Sequence, residues 1–162
     1  MSASEEAPSA LYGRSSSGSV DETMRKSQRH ALQPEFVDLV RMELHESKSE
    51  IEEHFEIDLY NCEDPQFLRY RVGDFFVAHQ DGNTGMLRLD QENRRISVVI
   101  LLTPSDAYTG GDLVLHDYRN KVSRRPFSKK GVGTLVAFPS ETTHEVTPVT
   151  SGERLSIACW YR

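Results

Sequence analysis

The sequence predicts a mainly β domain of the sandwich, barrel or jelly-roll kind, preceded by helical segments. Helical periodicity is confined to the residues before Pro65. After Pro65, short runs rich in β-branched and aromatic residues alternate with turns of Gly, Pro, Asp and Ser. Because helices and strands do not alternate along the chain, a doubly wound parallel sheet is disfavoured.

The composition is that of a globular protein. The 162 residues suffice for one domain with its own core, and 37% of them are hydrophobic and 27% charged. The net charge of −6 argues against nucleic acid or an anionic membrane as a partner. No apolar run approaches the roughly 20 residues that span a bilayer. Residues 1–19 lack the apolar core of a secretory signal, so the expected compartment is cytoplasmic. Cys62 and Cys159 lie in apolar, strand-like surroundings and are predicted to be reduced and structural.

The N-terminal part is predicted to be flexible and then helical. Residues 1–20 are rich in Ser, Ala, Gly and Glu and are expected to be flexible, before a single domain over residues 21–162. A first helix is predicted from Pro34 to about Ser47, since Pro suits the first turn and apolar residues recur at helical spacing. A second short helical piece follows, with His54–Glu56 as its solvated end.

Seven strands are predicted after the helices, over the runs "FLRYRV", "FFVAHQ", "ISVVILLT", "DLVLHD", "TLVAFP", "HEVTPV" and "RLSIACWYR". Two long irregular stretches interrupt them, residues 82–94 and residues 118–130. Loops of this length in a small domain are often functional. The first is interpreted either as a lid over a site or as a connector. The second holds six Lys or Arg and is either an attractor for an acidic substrate or a solvated face.

A candidate metal site lies at the ends of two predicted strands. His79 and Asp81 are two residues apart, so on an extended backbone both side chains point to one face and can bind one ion. A histidine hydrogen-bonded to backbone is the structural alternative. His144 begins a later strand. Two His and one carboxylate match the facial triad that binds iron(II) and leaves open positions.

A candidate anion site lies on the last strand, where Arg154, Ser156, Ala158 and Trp160 share a face. An Arg on this face is costly unless it meets an anion. The anion is either a carboxylate of the protein or a bound organic acid, to which the hydroxyl of Ser156 can add a hydrogen bond.

These motifs resemble those of the iron(II)- and 2-oxoglutarate-dependent oxygenases. The segment "YRVGDFFVAHQD" is similar to the Tyr-x-x-Gly-x-x-Phe-x-x-His-x-Asp segment of the prolyl hydroxylase branch, and "GGDLVLHD" resembles its Gly-Gly-x-Leu strand. The last 28 residues, "LVAFPSETTHEVTPVTSGERLSIACWYR", resemble the C-terminal segment of bacterial PKHD-type hydroxylases and of hypoxia-sensing prolyl hydroxylases. The resemblance covers about residues 66–162 and implies a double-stranded β-helix, or jelly roll, with N-terminal supporting helices.

The resemblance also implies residue roles. His79, Asp81 and His144 would be the iron ligands. Arg154 would bind the distal carboxylate of 2-oxoglutarate, and the hydroxyl of Tyr70 would donate to the same carboxylate, unless Tyr70 is an ordinary strand aromatic.

Four further residues are candidates near the site. Ser156 would be an additional cofactor-binding residue, and Trp160 would pack on the pocket wall. Gln80 and Thr143 are candidates for orienting the histidine rings.

The implied activity is hydroxylation of a C–H bond by O2, with decarboxylation of 2-oxoglutarate to succinate. The leading substrate is a prolyl residue of a protein or peptide. The alternatives are a free amino acid or other small metabolite, and a non-catalytic jelly-roll binding module. Asp81 favours hydroxylation, since halogenases of the family lack this carboxylate. Arg154 disfavours a collagen-like assignment, because collagen-type members carry Lys there.

Overall fold

One long helix and a series of short strands form the described part of the chain, which in the computed structural model comprises residues 6–8, 25–82, 93–117, 122–126 and 131–162. The elements in chain order are β1 (Glu6–Pro8), β2 (Arg25–Lys26), β3 (Gln28–His30), α1 (Pro34–Phe55), β4 (Gln66–Tyr70), β5 (Phe75–His79), β6 (Ile96–Leu101), β7 (Tyr108–Gly110), β8 (Leu113–Asp117), β9 (Val122–Pro126), β10 (Leu135–Pro139), β11 (His144–Val146), β12 (Val149–Gly152) and β13 (Arg154–Tyr161). The mainly β prediction and all seven predicted strands are confirmed.

The strands form two main antiparallel sheets. The six-stranded sheet has the order β1-β3-β4-β13-β6-β10, and the five-stranded sheet has the order β2-β5-β11-β8-β9. A small third sheet pairs β12 with β7. In both main sheets, strands that are distant in sequence lie side by side, so the C-terminal strand β13 runs between β4 and β6.

The helix α1 is continuous, so the prediction of two helical pieces is wrong. Residues 35–55 contain no Gly or Pro that would break the helix. The polar middle stays helical, where Ser47 donates to the carbonyl of Glu43 and Lys48 pairs with Glu52 at 2.8 Å. Pro34 occupies the first turn, and the helix ends at Phe55, followed by Glu56 in the left-handed conformation. The described helices include none with the length and apolar character needed to cross a bilayer.

The main core lies between α1 and the outer face of the six-stranded sheet. Leu44 and Ile51 of the helix pack with residues of β6 and β13, among them Val98 and Tyr161. The Tyr161 hydroxyl donates to the Leu44 carbonyl at 2.5 Å, and burial raises the pKa of Tyr161 to about 12. Since side chains alternate along a strand, the other face of β13 is left for the site.

Several expectations about the remaining segments need correction. The short strands β2 and β3 precede α1, so the helices do not come first among the described elements. Within residues 118–130, β9 pairs with β8, so this stretch is not wholly irregular; its other residues lie outside the described part. The proposed lid falls mainly on residues 83–92, which also lie outside it. Of residues 1–20, only Glu6–Pro8 is described, and it pairs with β3.

The two cysteines were predicted to be reduced, and the structure corrects this. Cys62 forms an isolated bridge to Tyr161 at the edge of β13, which brings it beside Cys159. The two residues are joined as a disulfide, with Cα atoms 6.8 Å apart. The separation of 97 residues along the chain gave no sign of this proximity.

Candidate metal centre and anion pocket

The structure brings His79, Asp81 and His144 together at one end of the five-stranded sheet. His79 ends β5 and His144 begins β11, and the two lie directly opposite each other in the antiparallel pairing. After β5 the chain turns, because the amides of Asp81 and Gly82 both donate to the carbonyl of Ser140. One ligand atom from each of the three side chains lies within 4.8 Å of the others.

The carboxylate of Asp81 faces both imidazoles. Its Oδ1 lies 3.4 Å from Nε2 of His79, and its Oδ2 lies 3.3 Å from Nε2 of His144. Backbone carbonyls hold the opposite nitrogens: Nδ1 of His79 lies 2.8 Å from the oxygen of Val77, and Nδ1 of His144 lies 2.9 Å from that of Thr142. Because a carbonyl only accepts, each Nδ1 carries a proton, and in the neutral ring Nε2 then offers its lone pair to the centre.

The residues expected to orient the rings do not do so. Gln80 donates through Nε2 to the carbonyl of Glu141 at 2.6 Å, and the carbonyl of Thr143 accepts the amide of His116. A side chain directly before a strand, or between two ligands, has no fixed relation to the rings. Backbone carbonyls fill that role instead, and their placement is not encoded by residue type.

A pair of buried serines supports the carboxylate, and sequence reasoning missed it. Ser97 Oγ donates to Asp81 Oδ2 at 2.8 Å and lies 3.0 Å from Ser140 Oγ. Ser97 is 1% exposed and Ser140 0%. A serine inside the apolar run "ISVVILL" was an available signal, since a buried hydroxyl needs a partner.

Burial and neighbouring charges shift the pKa values of the three candidate ligands in opposite directions. Burial alone would raise the pKa of Asp81, but the charge and hydrogen bonds of His144 and His79 hold it well below its usual value. Burial alone would lower the pKa of His144, but Asp81 raises it above its ordinary value. Burial dominates at His79 and lowers its pKa. A buried carboxylate with two imidazole nitrogens is the donor set that suits non-haem iron(II), so these residues fit that metal.

A cavity of about 200 Å³ opens beside the three candidate ligands. The side chains of Arg154, Ser156, Ala158 and Trp160 all line it, as the alternation of β13 predicts. His144 and Val146 of β11 line it as well. The cavity is therefore bounded by both main sheets.

Arg154 is a buried cation with spare hydrogen-bonding capacity. It is 2% exposed, its Nη1 donates to Ser156 Oγ at 2.7 Å, and its guanidinium carbon lies 5.2 Å from the ring centre of Tyr70. Its Nε is buried without a hydrogen-bond partner, and no carboxylate of the described residues pairs with it. The protein salt bridge considered from the sequence is therefore not found there. An uncompensated buried guanidinium fits a bound carboxylate such as that of 2-oxoglutarate.

Tyr70 and Trp160 form opposite parts of the wall. Tyr70 is the register partner of Arg154 across β4 and β13 and lines the cavity with it. Trp160 carries the guanidinium of Arg94 over its ring at 3.9 Å, and Arg94 in turn makes a two-point contact with Glu63 at 2.8 and 2.6 Å. This second arginine is thus neutralised by the protein, whereas Arg154 is not.

Residues 65–162 match the model of the 2OG-Fe(II) oxygenase superfamily. The chain belongs to this superfamily. Membership implies iron(II) as cofactor and 2-oxoglutarate and O2 as co-substrates, and the cavity of this oxygenase holds donor groups suited to the metal and to 2-oxoglutarate.

Curated relatives and solved structures agree with this assignment. The oxygenase is 41% identical over 101 residues to a PKHD-type hydroxylase of Shewanella oneidensis and 37% identical over 98 residues to one of Paracoccus denitrificans. Each match covers 59% of this chain but 41% of the relative, so the chain spans about two fifths of the length of these relatives.

Solved structures confirm the jelly-roll prediction. A prolyl-4-hydroxylase of Pseudomonas putida is 27% identical with a TM-score of 0.69, covering 88% of this chain and 74% of that one. The viral collagen prolyl hydroxylase of Paramecium bursaria Chlorella virus-1 is 25% identical with a TM-score of 0.62, covering 86% of this chain and 80% of that one. An oxygenase from Burkholderia pseudomallei, 19% identical with a TM-score of 0.66, shares the fold over 97% of this chain and 72% of that one.

Proposed function

We propose that this chain forms the catalytic domain, over residues 21–162, of a dioxygenase that hydroxylates a prolyl residue of a protein or peptide. The observation that carries the proposal is one cavity that holds both the His79–Asp81–His144 cluster and the unpaired guanidinium of Arg154. A purely structural metal site would need the cluster but not a buried cation beside it. The prolyl substrate is supported by the names of the PKHD-type and prolyl-4-hydroxylase relatives.

Hydrogen bonds from neighbouring groups set the protonation or the orientation of each candidate iron ligand. The carbonyls of Val77 and Thr142 keep the protons on Nδ1, so both Nε2 atoms are free to bind the metal. Ser97 donates to Oδ2 of Asp81 and so fixes the carboxylate, whose Oδ1 faces His79 and whose Oδ2 faces His144. Iron(II), together with 2-oxoglutarate and O2, supplies the oxidising power that hydroxylates a C–H bond while 2-oxoglutarate becomes succinate and carbon dioxide.

The anion pocket selects and orients 2-oxoglutarate. Arg154 would bind the distal carboxylate through Nε and its free terminal nitrogen, because Ser156 already accepts from Nη1. The hydroxyl of Tyr70 would donate to the same carboxylate. Apolar side chains of both sheets, such as Leu68, Val99 and Val146, line the cavity and keep water away.

The overall activity is tested by incubating protein purified without oxygen with iron(II), 2-oxoglutarate and pooled prolyl peptides, admitting air, and measuring succinate and hydroxylated peptide. Peptide-stimulated succinate with hydroxyproline is expected. Succinate that only small metabolites stimulate would refute the prolyl substrate while keeping the chemistry. No succinate from iron-loaded protein would refute the enzyme and favour the binding module.

The metal site is tested with a matched pair of histidine variants. His144→Ala should lose stoichiometric iron, whereas His45→Ala, on the exposed side of α1, should retain it. Iron retained by His144→Ala would remove this residue from the ligand set.

The co-substrate site is tested with a matched pair of arginine variants. Losing one partner of a buried charge pair costs about 3–5 kcal/mol, so Arg154→Gln should raise the 2-oxoglutarate requirement about a hundredfold or more. Arg41→Gln, on an exposed pair with Asp38 and Asp64, should not change it. An unchanged requirement in Arg154→Gln would refute the assigned role.

A further inference from the structure

A third buried arginine, Arg25, lines the same cavity as Arg154 and Arg94, and it comes from the five-stranded sheet. It lies on the short strand β2 and is 7% exposed. Its Nε donates to Ser27 Oγ at 2.9 Å, and its guanidinium carbon lies 4.6 Å from the ring centre of Phe76. Within the described residues, its two terminal nitrogens make no hydrogen bond and no carboxylate pairs with it.

The contacts of Arg25 place it next to the metal centre. The ring of Phe76 also stacks on His79, with ring centres 3.5 Å apart and an angle of 18° between the planes. Phe76 therefore has the imidazole of a candidate ligand on one face and the guanidinium on the other. Arg154 comes from the other main sheet, so two buried arginines that no described carboxylate neutralises face the cavity from separate walls.

No carboxylate of the described residues compensates the charge of Arg25. Its neighbour Lys26 is exposed and pairs with Asp74 at 3.7 Å, while the exposed Arg29 adds a further cation at the cavity wall. Asp81 is the one carboxylate among the described cavity residues, and it is taken up by the two imidazoles and Ser97. A guanidinium in a cavity without a counter-charge is costly, so this group suits an anion that arrives with a ligand.

We infer that Arg25 binds a carboxylate of the substrate, so the molecule that is hydroxylated carries an acidic group near the reacting carbon. Ser27 and Phe76 fix the Nε end and the plane of the guanidinium, which leaves the edge with two terminal nitrogens for a two-point contact with a carboxylate. The inference rests on the proposed function, because it assigns Arg154 to 2-oxoglutarate and Arg25 to the second reactant.

The test follows the Nε–H signals of Arg25 and Arg154 by NMR in protein labelled with ¹⁵N-arginine, loaded with redox-inactive zinc and saturated with 2-oxoglutarate. Acetate and acetamide are then added as probes of similar size that differ in charge. A saturable shift of the Arg25 signal with acetate and not with acetamide is expected. Arg25→Gln should weaken acetate binding about tenfold, since a hydrogen bond to a charged group is lost, and Arg41→Gln should not.

Two results would overturn the inference. One is an Arg25 signal that acetate leaves unmoved, and the other is an equal response to acetate and acetamide. Both are read from wild-type protein, so they stand even if Arg25→Gln fails to fold. A failure of 2-oxoglutarate to move the Arg154 signal would instead count against the proposed function, which separates the two outcomes.

Discussion

Replacing Ser97 by Ala tests whether the buried serine pair tunes the metal centre. Ser97 Oγ donates to Asp81 Oδ2 at 2.8 Å and contacts Ser140 Oγ at 3.0 Å. The substitution removes a hydroxyl that is 1% exposed, and Ser140, which is 0% exposed, cannot regain a hydrogen bond from solvent. Both metal affinity and stability should therefore respond.

The expected magnitudes follow from these two contacts. A hydrogen bond to a charged group contributes about 1.5–3 kcal/mol. The Ser97–Asp81 hydrogen bond is present with and without metal, so its removal affects metal affinity only through the orientation of the carboxylate. Loss of a residue that orients a metal ligand typically weakens metal binding 10- to 100-fold. We therefore expect Ser97→Ala to weaken metal binding about tenfold. The free energy of unfolding should fall by about 1–3 kcal/mol, since the buried Ser140 hydroxyl loses its partner.

Ser140→Ala is the matched control. It removes the other hydroxyl of the pair but leaves the bond from Ser97 to Asp81, and its backbone carbonyl still accepts the amides of Asp81 and Gly82. It should reduce stability to a similar extent and leave metal affinity unchanged. The assay is competition for iron(II) or manganese(II) against a chromophoric chelator, with thermal unfolding measured alongside.

Two outcomes would refute the role assigned to Ser97. Equal losses of metal affinity in Ser97→Ala and Ser140→Ala would show that general loosening of the site, and not the hydrogen bond to Asp81, controls the metal. Unchanged affinity in Ser97→Ala would show that the carboxylate is oriented without the serine.

Three further predictions concern the helix, the core and the pH dependence. Glu56 has φ 54°, so Glu56→Gly should raise the free energy of unfolding by about 1 kcal/mol, whereas Glu53→Gly inside the helix should lower it by about 1 kcal/mol; thermal unfolding of the pair would contradict this if both fell. Tyr161→Phe removes the hydrogen bond to the Leu44 carbonyl and should cost about 1 kcal/mol in a denaturant titration, and no loss would show that the bond is not formed in solution. The pKa of His144 is raised above 6.5 in the metal-free protein, so protons should begin to compete with metal above that pH and weaken binding by about tenfold per pH unit below the raised pKa; a flat chelator titration from pH 8 to 5.5, spanning that value, would refute it.

The sequence predicted the strands that carry alternating apolar residues, because their pattern reflects one buried face. It did not predict β1, β2, β3, β7, β9 or β12, which have two to five residues and exist through their partners. The break expected between Ser47 and Ile51 was inferred from a polar stretch without a helix-breaking residue. Side-chain contacts and tertiary packing keep this polar stretch helical.

The site, too, has residues that the sequence could reveal and residues that it could not. The residues predicted for the centre do lie together, but Asp81 reaches His79 from the turn after β5, where its amide donates to the carbonyl of Ser140, and not through alternation along a strand. Ser97 was recognisable in principle as a polar residue in an apolar strand. The position of Arg25 was not, since only the pairing of β2 with β5 brings it over Phe76.

The metal centre and the anion pocket depend on strand pairings in different sheets. His79 and His144 are opposite each other only in one register of β5 and β11, and a one-residue slip of either strand would turn its ring to the other face. Arg154 depends on a different register, that of β4 and β13 in the six-stranded sheet. Removing a metal ligand should therefore leave the anion pocket formed, so His144→Ala should still bind 2-oxoglutarate weakly through Arg154. Loss of all 2-oxoglutarate binding in a folded His144→Ala protein would show that the two walls are coupled.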